Sequence, residues 1–180
     1  MNPLSETPTE ITISVEGTPA PQGSKQAFAV RRKNRATGQM EYTGKTAVKE
    51  SAHDKVQAWR TRVEADAKKV MELTGWTPPT GGVIVDIQFY LPRPKGHYRT
   101  GRYAGLLREA APAAHTVKPD RDKLERSTHD ALTSSGIIND DANIVGGSIW
   151  KHYADGRPPG AVIIIRDYDR LATDDDQDTE

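Results

Sequence analysis

Between Lys118 and Asp141 the chain gathers acids and bases densely enough for phosphate chemistry. The run reads Lys118-Pro119-Asp120-Arg121-Asp122-Lys123-Leu124-Glu125-Arg126, and Asp130, Asp140 and Asp141 follow. Pro119 biases Lys118 towards extended backbone. If the chain is still extended at Asp120, the Asp120 and Asp122 carboxylates point the same way and repel. A divalent cation relieves that repulsion, and hard carboxylate oxygens favour Mg²⁺ or Mn²⁺ over zinc. Arg126 lies one helical turn beyond Asp122 and is placed to bind a phosphate oxygen held against the metal. A structural reading of the same residues is also open. In it Asp122 only caps a helix with Glu125 as its capping-box partner, Asp140 and Asp141 only form a turn, and Asp130 pairs with Arg126.

These residues need elements to hold them. Glu10–Val15 alternates Ile11, Ile13 and Val15 with polar residues, the period of a half-buried strand. Short strands are expected at 26–30 and 40–43, with a basic hairpin loop between them. From about Lys49 to Leu73 there is no Pro or Gly, and Val56, Trp59, Val63, Ala67, Val70 and Met71 recur every three or four residues, as in an amphipathic helix. Val83–Leu91 reads as a strand with Val83, Val85, Ile87, Phe89 and Leu91 on one face. Residues 92–118 look irregular and basic. A second helix is expected from about Lys123 to Ser134, with Gly136 as its C-terminal cap. Residues 143–153 and 161–166 then read as the two strands of a hairpin. Such a helix separates Asp122 from Asp141 by about 18 Å along its axis. Asp141 joins Asp120 and Asp122 only if the next strand runs back past the helix start, or if a second subunit supplies it. The order implies one α/β domain of the α+β kind: a mixed, largely antiparallel sheet with two main helices packed on it. Residues 1–9 are expected to be disordered, 10–168 to form the domain, and 169–180 to be a flexible acidic tail.

Composition narrows the chemistry. The absence of cysteine excludes disulfides, thiol nucleophiles and Cys-ligated metal sites. His53, His97, His115, His129 and His152 share no metal-ligand spacing, although His115 lies close enough to the acidic run to meet a substrate. Trp59 and Trp150 are expected in the core. The N-terminus lacks signal-peptide character, and no stretch approaches the ~18 apolar residues of a membrane span, so a cytoplasmic protein is expected. The formal net charge of zero conceals an asymmetry, because the last eight residues hold five acids and residues 1–172 hold 25 bases against 20 acids. Lys25, Arg31, Arg32, Lys33 and Arg35 form one acid-free block, and Arg93, Lys95, Arg99, Arg102 and Arg108 form another, with Tyr98 and Tyr103 interleaved. Two such blocks point to a polyanion partner.

Asp120-Arg121-Asp122-Lys123-Leu124, Asp130-Ala131-Leu132-Thr133, Gly136 and Asp140-Asp141-Ala142-Asn143-Ile144-Val145 together resemble the RusA family of Holliday-junction resolvases. The match runs without gaps through D-x-D, D-A-L, G and D-D, and Pro21-Gln22-Gly23-Ser24-Lys25 is similar to phage members. The resemblance implies a homodimeric, Mg²⁺-dependent endonuclease that makes paired symmetric nicks in four-way or branched DNA, in a bacterial or phage-infected cell. It puts Asp120, Asp122 and Asp141 at the metal-binding positions, with Asp140 as the weaker neighbour. Arg126 stands where the family has a catalytic Lys, and Lys123 where it has an Asn. Arginine still binds phosphate, but it does not readily give up a proton. Lys25, Arg31, Arg32, Lys33, Arg93, Lys95, Lys118 and Lys123 are the expected DNA contacts. The rival from a different class is a basic junction-binding protein without cleavage.

Overall fold

The computed structural model describes residues 7–23, 25–50 and 53–175 of the chain. The expectations for residues 1–6 and 176–180 fall outside that set. Among the described residues there are seven strands and three α-helices: β1 (Glu10–Glu16), β2 (Lys25–Lys33), β3 (Met40–Glu50), α1 (His53–Thr74), β4 (Val83–Leu91), α2 (Arg121–Ser135), β5 (Ile144–Gly146), β6 (Ile149–Tyr153), β7 (Gly160–Asp167) and α3 (Tyr168–Asp175). The fold is α+β with one mixed five-stranded sheet. β7 lies between β1 and β4, antiparallel to both, while β5 and β6 run parallel to β4 on its other side.

The alternation read from the sequence is realised in β1 and β4. Ile11, Ile13 and Val15 are buried with exposed residues between them, and so are the odd-numbered residues from Val83 to Leu91 against less buried neighbours. α1 and α2 cover this face and pack against each other. Trp59 of α1 is wedged between them, 1% exposed, and donates its indole N–H to Thr128 Oγ1 of α2 at 3.1 Å. Its ring also meets Phe89 of β4, 6.5 Å between centroids. Burial of one such side chain contributes about 1.5–3 kcal/mol. Trp76 closes the other end by donating to the Ile137 carbonyl at 3.0 Å. α2 stops at Gly136, whose φ of 80° suits a residue without a Cβ.

Several expectations are corrected. The segments 143–153 and 161–166 do not form a hairpin. β7 is buried or half-buried for most of its length and takes an interior place between β1 and β4, whereas β6 is left on the far side of β4. Residues 143–153 are also two strands. The break falls at Gly147, where a Cβ would run into the Val85 carbonyl, and at Ser148, whose N–H and Oγ both donate to Asp86 Oδ1 at 2.7 and 2.6 Å. Trp150 is 59% exposed rather than core, because β6 turns it away from the helices. Residues 168–175 form the helix α3. Arg170 there donates to the Thr7 carbonyl at 2.7 Å, and Asp167 N–H donates to Thr9, so residues 7–9 are also held.

Among the described residues β2 and β3 pair only with each other, as an antiparallel ribbon. They are longer than the sequence implied, so Arg31, Arg32 and Lys33 lie on a strand and not in a loop. The turn is confined to residues 34–39, where Asn34 Oδ1 accepts from Ala36 N–H at 2.8 Å. β3 runs on to Glu50, which moves the start of α1 from Lys49 to His53.

Candidate active site

The chain reaches α2 through a cis Lys118–Pro119 bond, and Asp120 occupies the N-cap position. Its carboxylate makes no capping bond. It pairs instead with Lys123 Nζ at 3.1 Å, one turn into the helix. That hydrogen bond, then the Lys123 charge, and then Lys118 and Lys151 hold the Asp120 carboxyl below the usual carboxylate range. Helix α2 starts two residues earlier than expected. Asp122 is therefore in its first turn, exposed, and neither cap nor capping-box partner. Its charge suits the positive end of the helix dipole.

The expected pairing of Asp130 with Arg126 is replaced by Arg60 of α1, whose Nη2 lies 2.5 Å from Asp130 Oδ2. Arg126 remains exposed, with no ion pair among the described residues. Asp140 caps the short 3-10 turn at Asp141–Asn143 by accepting from Ala142 N–H at 2.8 Å. That bond, together with its contact to the Asp141 carboxyl, keeps Asp140 low. Asp141 is exposed and makes no ion pair among the described residues.

Asp120 and Asp141 have different neighbours. The charges acting on Asp120 are Lys118, Lys123 and Lys151. Asp141 acts instead on His129, in the second half of α2, where burial lowers the imidazole despite Glu125, Asp141 and Asp130. Among the described residues no three Asp, Glu or His side chains are grouped closely enough to hold a metal ion. The oxygen donors suit a hard divalent cation, but the fold of one chain leaves them at the two ends of α2. The strand that runs back past the helix start is β6, and it brings Lys151 there instead of Asp141. Lys151 Nζ donates to the Val117 and Pro119 carbonyls at 3.0 and 2.8 Å, bracing the turn into Asp120. Sequence reasoning missed this residue. Its signal was parity: Lys151 shares the phase of Ile149 and Tyr153, whereas Trp150 and His152 take the other face.

Among the expected DNA contacts, Arg31, Arg32, Lys33, Lys95 and Lys118 are exposed, and Lys123 is half-exposed in its pair with Asp120. The Lys25 side chain lies outside the described residues. Arg93 is corrected. Its side chain is 4% exposed and chelated by Asp155, at 2.8 Å from Nε and 2.6 Å from Nη2. It also donates to the Pro112 carbonyl and stacks on Tyr153 at 3.8 Å. The hydrogen bond to Asp155 raises Arg93 and lowers Asp155. Arg93 thus ties down the base of the 92–112 segment and is not free for phosphate. Beyond that base, residues 101–110 are all exposed, with Arg102 over the Tyr103 ring. His115, five residues before Asp120, is 6% exposed.

No helix among the described residues is long and apolar enough to cross a membrane. No curated protein matches the chain. A family model, Endodeoxyribonuclease RusA, matches residues 21–166, which takes in α1, β4, the acidic run, α2, both ends of that helix and nearly all of β7. A match over that much of the chain makes the protein a member of the RusA family of Holliday-junction endodeoxyribonucleases.

Proposed function

We propose that the protein acts as a homodimer and resolves four-way DNA by paired symmetric nicks, with a divalent cation, Mg²⁺ or Mn²⁺, held by Asp120, Asp122 and Asp141. The observation that carries this reading is the placement of Asp122 and Asp141. Both are exposed carboxylates inside the family match, neither has an ion pair among the described residues, and they lie at opposite ends of α2. A two-fold axis that sets α2 antiparallel to its copy brings the start of one helix to the end of the other. Asp120 and Asp122 of one subunit then meet Asp141 of the partner subunit, and a C2 dimer has two such sites for two opposed strands. A bound cation would supply charge neutralisation and an activated water there. The chain's own residues do the remaining work. Lys123 offsets Asp120, Lys151 fixes the turn that presents it, and Arg126 offers a guanidinium to a phosphate oxygen.

The β2–β3 ribbon supports DNA as the substrate. It carries Arg31, Arg32 and Lys33 in the open, and a two-stranded ribbon fits the major groove of a duplex. The rival reading, a junction binder without cleavage, gives the exposed carboxylates nothing to do where phosphate must approach.

The test is a synthetic four-way junction incubated with and without Mg²⁺, using Asp122→Asn, Asp141→Asn and a mixture of the two. Each variant alone is expected to be inactive. In the mixture, a dimer of one of each retains one unaltered composite site, so single nicks return. A mixture that stays inactive while forming mixed dimers removes the shared site. Uncut junction with the wild-type protein and Mg²⁺ removes the nuclease reading.

A further inference from the structure

A cleft of about 600 Å³ lies immediately before the acidic motif, between the loop after β1, the first half of α1 and the Lys118–Pro119 turn. Its size is that of a small-ligand site, commonly about 300–1,000 Å³. Three cations line it, Lys55, Arg62 and Lys118, and no acid is among the described residues that do. All three are exposed, as is Pro92, and Pro21 and Pro119, also in the lining, are half-buried. The cleft therefore has a cationic rim and apolar walls. His115 also lines it and is 6% exposed.

The walls are fixed against the motif. Gln22 N–H donates to the Lys123 carbonyl in the first turn of α2 at 2.8 Å, and Gly17 N–H donates to Pro159 at 2.9 Å. Pro119, itself a lining residue, is held by Lys151. The occupant of the cleft would thus sit next to Asp120.

We propose that this cleft holds one unpaired nucleotide of the DNA, with its phosphate on the cationic rim and its base against the proline walls. The inference rests on the DNA-cleaving reading above. A phosphate alone needs no apolar walls, and an apolar ligand needs no three cations. Drawing a base out of the stack costs least where pairing is already interrupted, as at the crossover of a branched junction.

Calorimetric titration of the full-length protein with deoxyadenosine monophosphate, with deoxyadenosine and with inorganic phosphate tests the assignment. The monophosphate is expected to bind saturably and about tenfold or more tighter than either half alone. Lys55→Ala should weaken the monophosphate about tenfold and leave deoxyadenosine unchanged. Ala58→Trp, at an exposed α1 position lining the cleft, should fill it and abolish both, with an unchanged melting temperature as the control for folding. Monophosphate binding no tighter than phosphate, or binding that survives Ala58→Trp in a folded protein, overturns the proposal. A protein that binds the nucleotide but neither binds nor cuts a junction refutes the nuclease reading and not the cleft. One that cuts the junction but ignores the nucleotide does the reverse.

Discussion

The chain has two phenylalanines, and they report on two different kinds of structure. Phe89 sits in β4, 0% exposed, with helices over it and β6 and β7 on its flanks. Phe28 sits in β2, 48% exposed, on a ribbon whose strands pair only with each other. Met40 and Tyr42 in the same ribbon are each 57% exposed. An isolated two-stranded ribbon is marginal in water, so these side chains do not serve a core in the single chain. The body buries apolar faces to hold α2 and its acids in place. The ribbon places similar residue types on a surface whose cations, Arg31, Arg32 and Lys33, need a partner. Packing belongs to the part that positions the acids, and exposed cations belong to the ribbon.

The largest expected effect separates chemistry from grip. Asp122→Asn should lower junction cleavage by at least ~10³-fold and leave junction binding equal or tighter, because a carboxylate near phosphate has been removed. Asp120→Asn and Asp141→Asn should match it, and combining them should add little more, as for groups acting as one unit. Single-turnover cleavage alongside a gel-shift measurement checks both halves. Cleavage within about tenfold of wild type in Asp122→Asn would sink the assignment, since a lost metal ligand costs far more.

Next comes stability. Phe89→Ala should cost about 3–5 kcal/mol, the usual loss for emptying a packed aromatic site. Phe28→Ala should stay within about 0.5 kcal/mol. Urea unfolding measures both, and a comparable loss at Phe28 would mean that the ribbon is buried in solution, against a second copy of the chain. Sedimentation bears on the same point, with a species of twice the 19.8 kDa chain mass expected at micromolar concentration.

A smaller effect tests the ribbon as a DNA-binding surface. Replacing Arg31, Arg32 and Lys33 by Gln should flatten the dependence of log K on log salt by up to about 3, roughly one for each phosphate that no longer meets a cation. The same change at Arg93 should instead destabilise the protein, since that guanidinium is already committed to Asp155 and Tyr153. An unchanged slope in the triple variant moves the DNA surface to the exposed 101–110 segment.

What the sequence revealed and what it hid follow the same division. β1, β4 and α1 were legible because burial on one face imposes a period that local residues carry. The acidic motif was legible because its residue types and spacing are chemical. Partners distant in the chain were hidden. Arg60 takes Asp130 from seventy positions away, and Asp155 takes Arg93 from sixty-two. Strand order was hidden for the same reason: nothing local to β7 says that β4, and not β6, lies beside it. The ribbon misled because its strands are held by ladder bonds and not by an apolar face, so the basic residues looked like loop. Trp150 misled because burial was inferred from residue type, and an edge strand exposes whatever faces away from the helices.

The smallest effect concerns acid. The body contains two histidines held below their ordinary value of 6.5 by burial, His115 and His129, and the described part of the ribbon contains none. A histidine kept neutral in the folded state is protonated first in the unfolded state. The unfolded chain therefore binds more protons between the lowered folded value and 6.5, and stability rises with pH across that window. Above about 6.5 both states are neutral and the contribution is complete. As pH falls below about 6.5 the contribution is lost, until the folded histidines also protonate. The slope is bounded by about 1.4 kcal/mol per pH unit for each histidine. Urea unfolding at about pH 7.5 and about pH 5.5 should show lower stability at the acidic value. The double variant His115→Asn, His129→Gln should lose most of that difference while being less stable at both. Asp155, lowered by Arg93, acts in a separate window: its contribution stands above the unfolded carboxyl value near 3.8 and is lost as pH falls through its lower folded value. A difference between the two pH values that persists in the double variant would place the titrating groups elsewhere in the body.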